Sequence, residues 1–274
     1  MKYLLLNILF LSLSISGYGQ TNLEEDGLKG KVKSVKETSH TIIDNFGRYK
    51  KERCWYITLR EFNKNGRKIN HYHYNTDGTG TLSFKSVYYY DIDGYLIEFN
   101  DIYGTDNLIH RKFIYKYDNN KKLIEENRYA SNGSLIVKEI YEYDSNGNLI
   151  EYYYYDRKGN LYKKESYKYD YNGNRIENNK SYSDGSGSKE TYKYNQKGNL
   201  IEKNEFSVFN KKYLYGYDRM GNIIEIKIIE KDNNKETTIT YEYTYDSNGS
   251  WIKKLEFENH FTKKLIERTI EYYD

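Results

Sequence analysis

The chain has 274 residues and a formal net charge of +3, from 43 basic and 40 acidic side chains. The two signs are interleaved, as in LIEKNEF and YKKESYKY, which excludes the one-signed patch of a nucleic-acid binder. The nearest basic run, Arg48-Tyr49-Lys50-Lys51-Glu52-Arg53, is broken by Glu52. Strand-like stretches such as LYKKESYKY carry charge on both faces and mean hydropathy is −0.98, which excludes the apolar outward band of a transmembrane β-barrel.

Residues 1–19 read as an export signal. Lys2 is a minimal charged start, YLLLNILFLSL at 3–13 is a short apolar core, and Gly17-Tyr18-Gly19 offers small residues for cleavage. The mature chain is expected to begin at Gln20, with no lipid anchor and no transmembrane anchor left after cleavage. Residues 20–62 are less regular. They read as strand, Asp44–Gly47 turn, strand, an atypical N-terminal hairpin that caps a repeat array. Cys54 is the only cysteine, so an intrachain disulfide is excluded. Its setting, RCWYITL, predicts a small hydrophobe buried in a strand.

From residue 63 to 274 a turn phrase recurs. Asp at the first position of a type I turn accepts from backbone amides ahead of it, and Gly three residues on takes the left-handed conformation that closes a bulged hairpin loop. The frame Asp/Asn-x-x-Gly recurs along the chain from 44–47 to 246–249, and includes 63–66, 75–78, 101–104, 184–187 and 195–198. Its strongest forms are Asp91–Gly94, Asp144–Gly147, Asp170–Gly173, Asp218–Gly221 and Asp246–Gly249, and Asp156–Gly159 carries the same frame in the alternate row. Weaker turns fall in phase at 118–121, 130–133, 209–212, 232–235 and 259–262. Between turns lie runs of about eight to ten residues rich in Tyr, Ile, Leu, Phe, Thr and Val, which is strand length and composition. The most helix-like piece, KKLIERTIEYY at 263–273, repeats the strand phrase and is assigned to a strand. Strong turns at Gly94, Asn120, Gly147, Gly173, Gly198, Gly221 and Gly249 stand 23 to 28 residues apart with a weaker turn between each pair. The unit is therefore two strands and two turns, with one turn type at each rim of a sheet. The predicted fold is all-β: a long antiparallel meander of β-hairpins forming a twisted or partly spiralled sheet.

The phrase YxYDxxGNLIE resembles the YD repeat of the RHS family. It stands as Tyr141-Glu142-Tyr143-Asp144 with Gly147-Asn148-Leu149, as Tyr167-Lys168-Tyr169-Asp170 with Gly173, and as Tyr215-Gly216-Tyr217-Asp218 with Gly221, over roughly residues 60–274. The resemblance implies a secreted or cell-surface protein whose repeats wind a sheet. Large members form a shell around a cargo. This chain has far fewer repeats and ends on a repeat strand at Asp274, so that function is not carried over. It looks like the short YD-repeat proteins exported by Bacteroidota-type bacteria.

The 35 tyrosines are the remaining signal. Strand alternation puts Tyr153 and Tyr155 with Leu149 on one face, and Tyr152 and Tyr154 with Ile150 on the other. Tyr88, Tyr89 and Tyr90 likewise occupy both faces. Such rows either staple neighbouring strands or present a stacking surface to a glycan or peptide. His71 and His73, two apart on one strand face, have a spacing that suits a metal, but no nearby Cys or third His completes a set. No metal and no cofactor is expected. No nucleophile elbow or phosphate loop is present, and the repeated turn aspartates read as scaffold. The expectation is an exported, non-enzymatic interaction or structural module of the envelope or extracellular space, in the periplasm or beyond it. Its partner would be a protein or glycan and not nucleic acid. The alternatives are a glycan-binding module using the tyrosine rows and a remnant of an RHS-type toxin-delivery shell.

Overall fold

Every regular element among the described residues is a β-strand. The computed structural model describes residues 23, 26–45, 48–104 and 108–274. The signal segment, Gln20 and the Phe46–Gly47 end of the first predicted turn lie outside the described residues.

The first six strands are β1 (Val32–Asn45), β2 (Arg48–Phe62), β3 (Lys68–Tyr74), β4 (Leu82–Tyr90), β5 (Leu96–Tyr103) and β6 (Ile109–Tyr117). The middle six are β7 (Leu123–Ala130), β8 (Leu135–Tyr143), β9 (Leu149–Tyr155), β10 (Leu161–Tyr169), β11 (Arg175–Tyr182) and β12 (Gly187–Tyr194). The last six are β13 (Leu200–Phe206), β14 (Lys211–Tyr217), β15 (Ile223–Glu230), β16 (Lys235–Tyr245), β17 (Trp251–Glu258) and β18 (Phe261–Tyr272). The helix-like stretch at 263–273 thus lies almost wholly in β18.

Turn chemistry makes the hairpins. At Asp144–Gly147 the Gly147 N–H donates to the Asp144 carbonyl, and Asp144 N–H donates to the Asn148 carbonyl. Asp144 Oδ1 also accepts from the Asn146 and Asn148 amides. Gly147 sits at φ 82°, a conformation an L side chain resists. The turn at 118–121 has the same bonds, with Lys121 holding φ 61° where its siblings use glycine. All the connections from an even to an odd strand lie on one rim of the sheet, here called the YD rim, and the weaker turns lie on the other. Two sequence matches are not turns as framed: Asp101 belongs to β5, where its carboxylate is taken by Ser86 and Arg111, and Gly187 is the first residue of β12, the turn before it closing at Tyr182–Gly185.

The sheet is closed, and this corrects the expected open twisted or spiralled meander. Each strand pairs antiparallel with its chain neighbours, and β1 also pairs with β18 from Val32↔Tyr272 to Thr41↔Lys264. The eighteen strands form a barrel. Closure satisfies both terminal edges, which an open array would leave to water or to aggregation. The periodicity that identifies neighbours carries no signal for a contact between the first and last strands. The stretch read as a capping hairpin forms β1 and β2, and β1 is the closing strand.

A second correction concerns parity. Beside the YD rim each odd strand carries one extra residue: Glu142 pairs Glu151 and Tyr143 pairs Leu149, which leaves Ile150 as a bulge. Leu149 therefore shares its face with Tyr152 and Tyr154, the reverse of simple alternation. The same shift recurs between Tyr89 and Tyr90, Lys116 and Tyr117, and Lys193 and Tyr194.

Candidate functional site on the inner wall

The closed sheet has two walls that differ in burial. On the outer wall Lys168 and Lys193 are 67% and 68% exposed. Glutamates at several NLIE-type strand starts sit there among lysines. Glu125 binds Lys116 and Lys138, Glu177 binds Lys168 and Lys189, and Glu202 binds Lys193 and Lys212. Bonds from Lys168, Lys189 and Asn179 hold the Glu177 carboxyl down to about 2, and those from Lys193, Asn204 and Lys212 do the same for Glu202.

The inner wall is also charged, but shielded. Asn178 Nδ2 donates to Glu165 at 2.8 Å and to Glu190 at 3.2 Å. Glu190 is further held by Lys180 at 3.0 Å and Lys203 at 2.5 Å. Burial opposes ionisation of Glu190, yet the two lysines prevail and bring it down to about 2. At the closing seam Glu37 on β1 accepts from Arg268 Nε on β18 at 2.7 Å, from Arg60 Nη2 on β2 at 3.0 Å and from the Tyr56 hydroxyl at 2.8 Å. Arg60 also binds Asp26 at 2.6 Å, which ties the segment before β1 to the barrel. Leu28 of that segment is buried with Val32, Val35 and Phe62. A cleft of about 570 Å³ opens at the YD rim beside it, lined by Leu23, Leu28, Asn65, Met220 and Tyr245 among others.

The tyrosine of the turn phrase has a repeated structural task. Tyr90, Tyr117, Tyr143, Tyr169, Tyr194 and Tyr217 donate their hydroxyls to the carbonyls of Lys68, Leu96, Leu123, Leu149, Arg175 and Leu200, at 2.6 to 2.8 Å. Each acceptor is the first residue of the preceding odd strand. The ladders between these pairs stop short of that carbonyl: β9–β10 ends at Glu151↔Ser166, and β7–β8 ends at Glu125↔Ile140. The hydroxyl thus satisfies a carbonyl the sheet leaves open. In the last repeat Tyr243 bonds the Ile223 carbonyl, while Tyr245 donates to Asp218 Oδ2.

The candidate binding tyrosines are not brought onto one surface. Tyr88, Tyr90, Tyr152 and Tyr154 face inward, with Tyr88 stacked on Phe99 at 5.4 Å and Tyr152 at 5.4 Å from Tyr141. Tyr89, 47% exposed, faces out with Tyr153 and Tyr155. Tyr153 donates to Glu151 and lies under Lys164. His71 and His73 are neighbours on the inner wall, with ring centroids 4.1 Å apart. Burial first, then His73, Lys68 and Arg60, push the His71 imidazole down to about 2, surroundings that disfavour a cation. Cys54 is half-buried instead of buried, its thiol 3.5 Å from the Tyr56 carbonyl, because β1 and β2 shift register at His40 beside it.

Sequence reasoning missed the inward ionisable groups Glu37, Arg60, Glu126, Arg128, Glu139 and Arg268. Glu126 and Arg128 show a charge at alternate residues, whereas Glu37, Arg60, Glu139 and Arg268 have uncharged neighbours two residues away on either side, and the bulges reset the parity, so the face could not be assigned.

No family model and no curated protein matches the chain. Among solved structures it is similar to a porin-like protein from Bacteroides uniformis ATCC 8492, with 12% identity and a TM-score of 0.45 over 89% of this chain and 99% of that one. It is also similar to TcdB2-TccC3-Cdc42, with 14% identity and a TM-score of 0.30 over 82% of this chain and 15% of that one. At that level of likeness, function is read from this chain's own side chains.

Proposed function

We propose that this protein is an exported, non-enzymatic β-repeat barrel, an interaction or structural module of the cell envelope or of the space outside it. The observation that carries the reading is how the charges are used on the two walls. Outside, Glu125, Glu177 and Glu202 each bridge two lysines, a surface that suits water and not lipid tails. Inside, Glu37 is bound by Arg60 and Arg268, and Glu190 by Lys180 and Lys203, so these carboxylates serve the wall instead of a substrate. The export signal read in residues 1–19 supports the location.

The test is fractionation of cells making a C-terminally tagged full chain, followed by N-terminal sequencing, a glycan array, and a cross-linked pull-down from envelope extract. The expected product starts at or near Gln20, comes off in salt without detergent, and retains a protein partner while ignoring the array. A chain that keeps Met1, needs detergent for release, or turns over a panel of chromogenic glycosides would overturn the proposal. Selective array binding would replace the protein partner with a glycan.

A further inference from the structure

Glu126 on β7 and Glu139 on β8 are direct cross-strand partners on the inner wall. Both draw on one guanidinium. Arg128 Nη2 lies 3.4 Å from Glu126 Oε1 and 3.6 Å from Glu139 Oε1. Arg128 is itself seated over the Phe113 ring, 4.8 Å from its centroid. Two carboxylates against one cation leave an excess negative charge where Glu139 is 9% and Tyr141 4% exposed. A buried carboxyl without full compensation takes up a proton instead of staying ionised.

The surrounding groups decide which acid takes the proton. On β8 the Tyr141 hydroxyl donates to Glu139 Oε2 at 2.8 Å. From β9 Tyr152 lies beside Tyr141, near enough to Glu139 for the carboxylate to add to burial in raising its phenol. From β6 Tyr115 stands opposite Glu126. Farther off, Glu165 and Lys163 on β10 flank Tyr152. A hydroxyl donor favours the charged form of its acceptor, and Tyr141 donates to Glu139, so Glu126 is the member of the pair that holds the proton. Burial, then the charge of Glu139, pushes the Glu126 carboxyl up to about 7 against the pull of Arg128.

The geometry points to a proton-sharing Glu126–Glu139 pair that makes this part of the barrel wall respond to pH near neutrality. Below the transition an acid and a carboxylate face each other across β7 and β8. Above it two carboxylates do, with one guanidinium between them. The folded chain keeps a proton that the unfolded chain releases near pH ~4.3. The pair's contribution to stability is therefore complete below that pH and is lost as pH rises through about 7.

The test compares the full mature chain with Glu126→Gln, which mimics the protonated acid. Thermal melts are run from about pH 5 to about pH 9, together with infrared spectra of the carboxylic-acid carbonyl band. Wild type should lose melting temperature relative to the variant as pH rises, and should show a neutral-pH acid band that bleaches in base and is missing from Glu126→Gln. Other titrating groups, His71 included, cancel in the comparison. Parallel pH profiles, or a wild-type spectrum without the band, overturn the inference. Should Glu126→Gln fail to fold, Glu139→Gln carries the test: the band's midpoint must move to lower pH, and an unmoved midpoint overturns the inference as well.

Discussion

Tyr143 shows what the turn-phrase tyrosine does for the fold. Its hydroxyl is the partner of the Leu123 carbonyl, which has no ladder bond from β8. Removing that hydroxyl leaves a shielded acceptor unpaired, at a cost of about 1–3 kcal/mol. Tyr143→Phe should therefore lower the urea midpoint clearly. Tyr89→Phe, on the exposed outer wall, should stay within about 0.5 kcal/mol of wild type. Equal loss in both would mean that ring packing, and not the hydroxyl bond, explains the repeated tyrosine.

The hairpin element is two strands and two turns, and closure makes that number consequential. Deleting Asp144–Tyr169 removes β9 and β10 and rejoins Tyr143 to Asp170, which restores the phrase. Sixteen strands remain, the last still antiparallel to the first. Deleting Asp144–Tyr155 removes β9 alone and rejoins Tyr143 to Asp156. Seventeen strands then remain, every later strand is reversed, and β18 meets β1 running the wrong way. The larger deletion should fold with a lower melting temperature, as a sum of unit and neighbour terms requires. The smaller one exposes two edges and should aggregate. Size-exclusion chromatography and circular dichroism melts decide between them. A smaller deletion that elutes as a monomer and melts at or above the larger one would show that antiparallel closure is dispensable.

At the scale of the molecule the barrel is locked where its ends meet. Glu37, Arg60 and Arg268 come from β1, β2 and β18, and Asp26 joins them from the segment before β1. Arg268 also lies 3.3 Å over the Trp251 ring. Glu37→Ala strands two shielded guanidinium groups, and breaking such a cluster from one side costs about 3–5 kcal/mol. Chemical denaturation should show that loss. Burial raises the Glu37 carboxyl, but Arg268 and Arg60 outweigh it and hold it below the ordinary range. Its folded value is depressed, so its contribution is present above the unfolded carboxylate range and is lost as pH falls through the folded value. Wild type should therefore lose its advantage over Glu37→Ala in acid, and an advantage independent of pH would contradict the assignment.

Much of the fold is written locally in the chain. Asp144, Asn146 and Gly147 form their turn through bonds that span a few residues, so the turns, the strands between them and the two-turn period are legible from the phrase alone. Tyr143 stands in that phrase, but its acceptor is twenty residues back, at a carbonyl visible only once the ladder ends. Glu126, Arg128 and Glu139 were legible as charges but not as neighbours. The bulges at the strand starts shift parity by one, and a single step moves a side chain from the outer wall to the inner. Closure lay furthest from the sequence. The pairing of Val32 with Tyr272 joins residues at opposite ends of the chain, and no local preference encodes it. The sequence by itself determined the hairpins. Only the tertiary structure decided that they close, which wall each charge faces, and hence which charges are buried, because the bulges set the parity of each strand and closure joins the two ends of the chain.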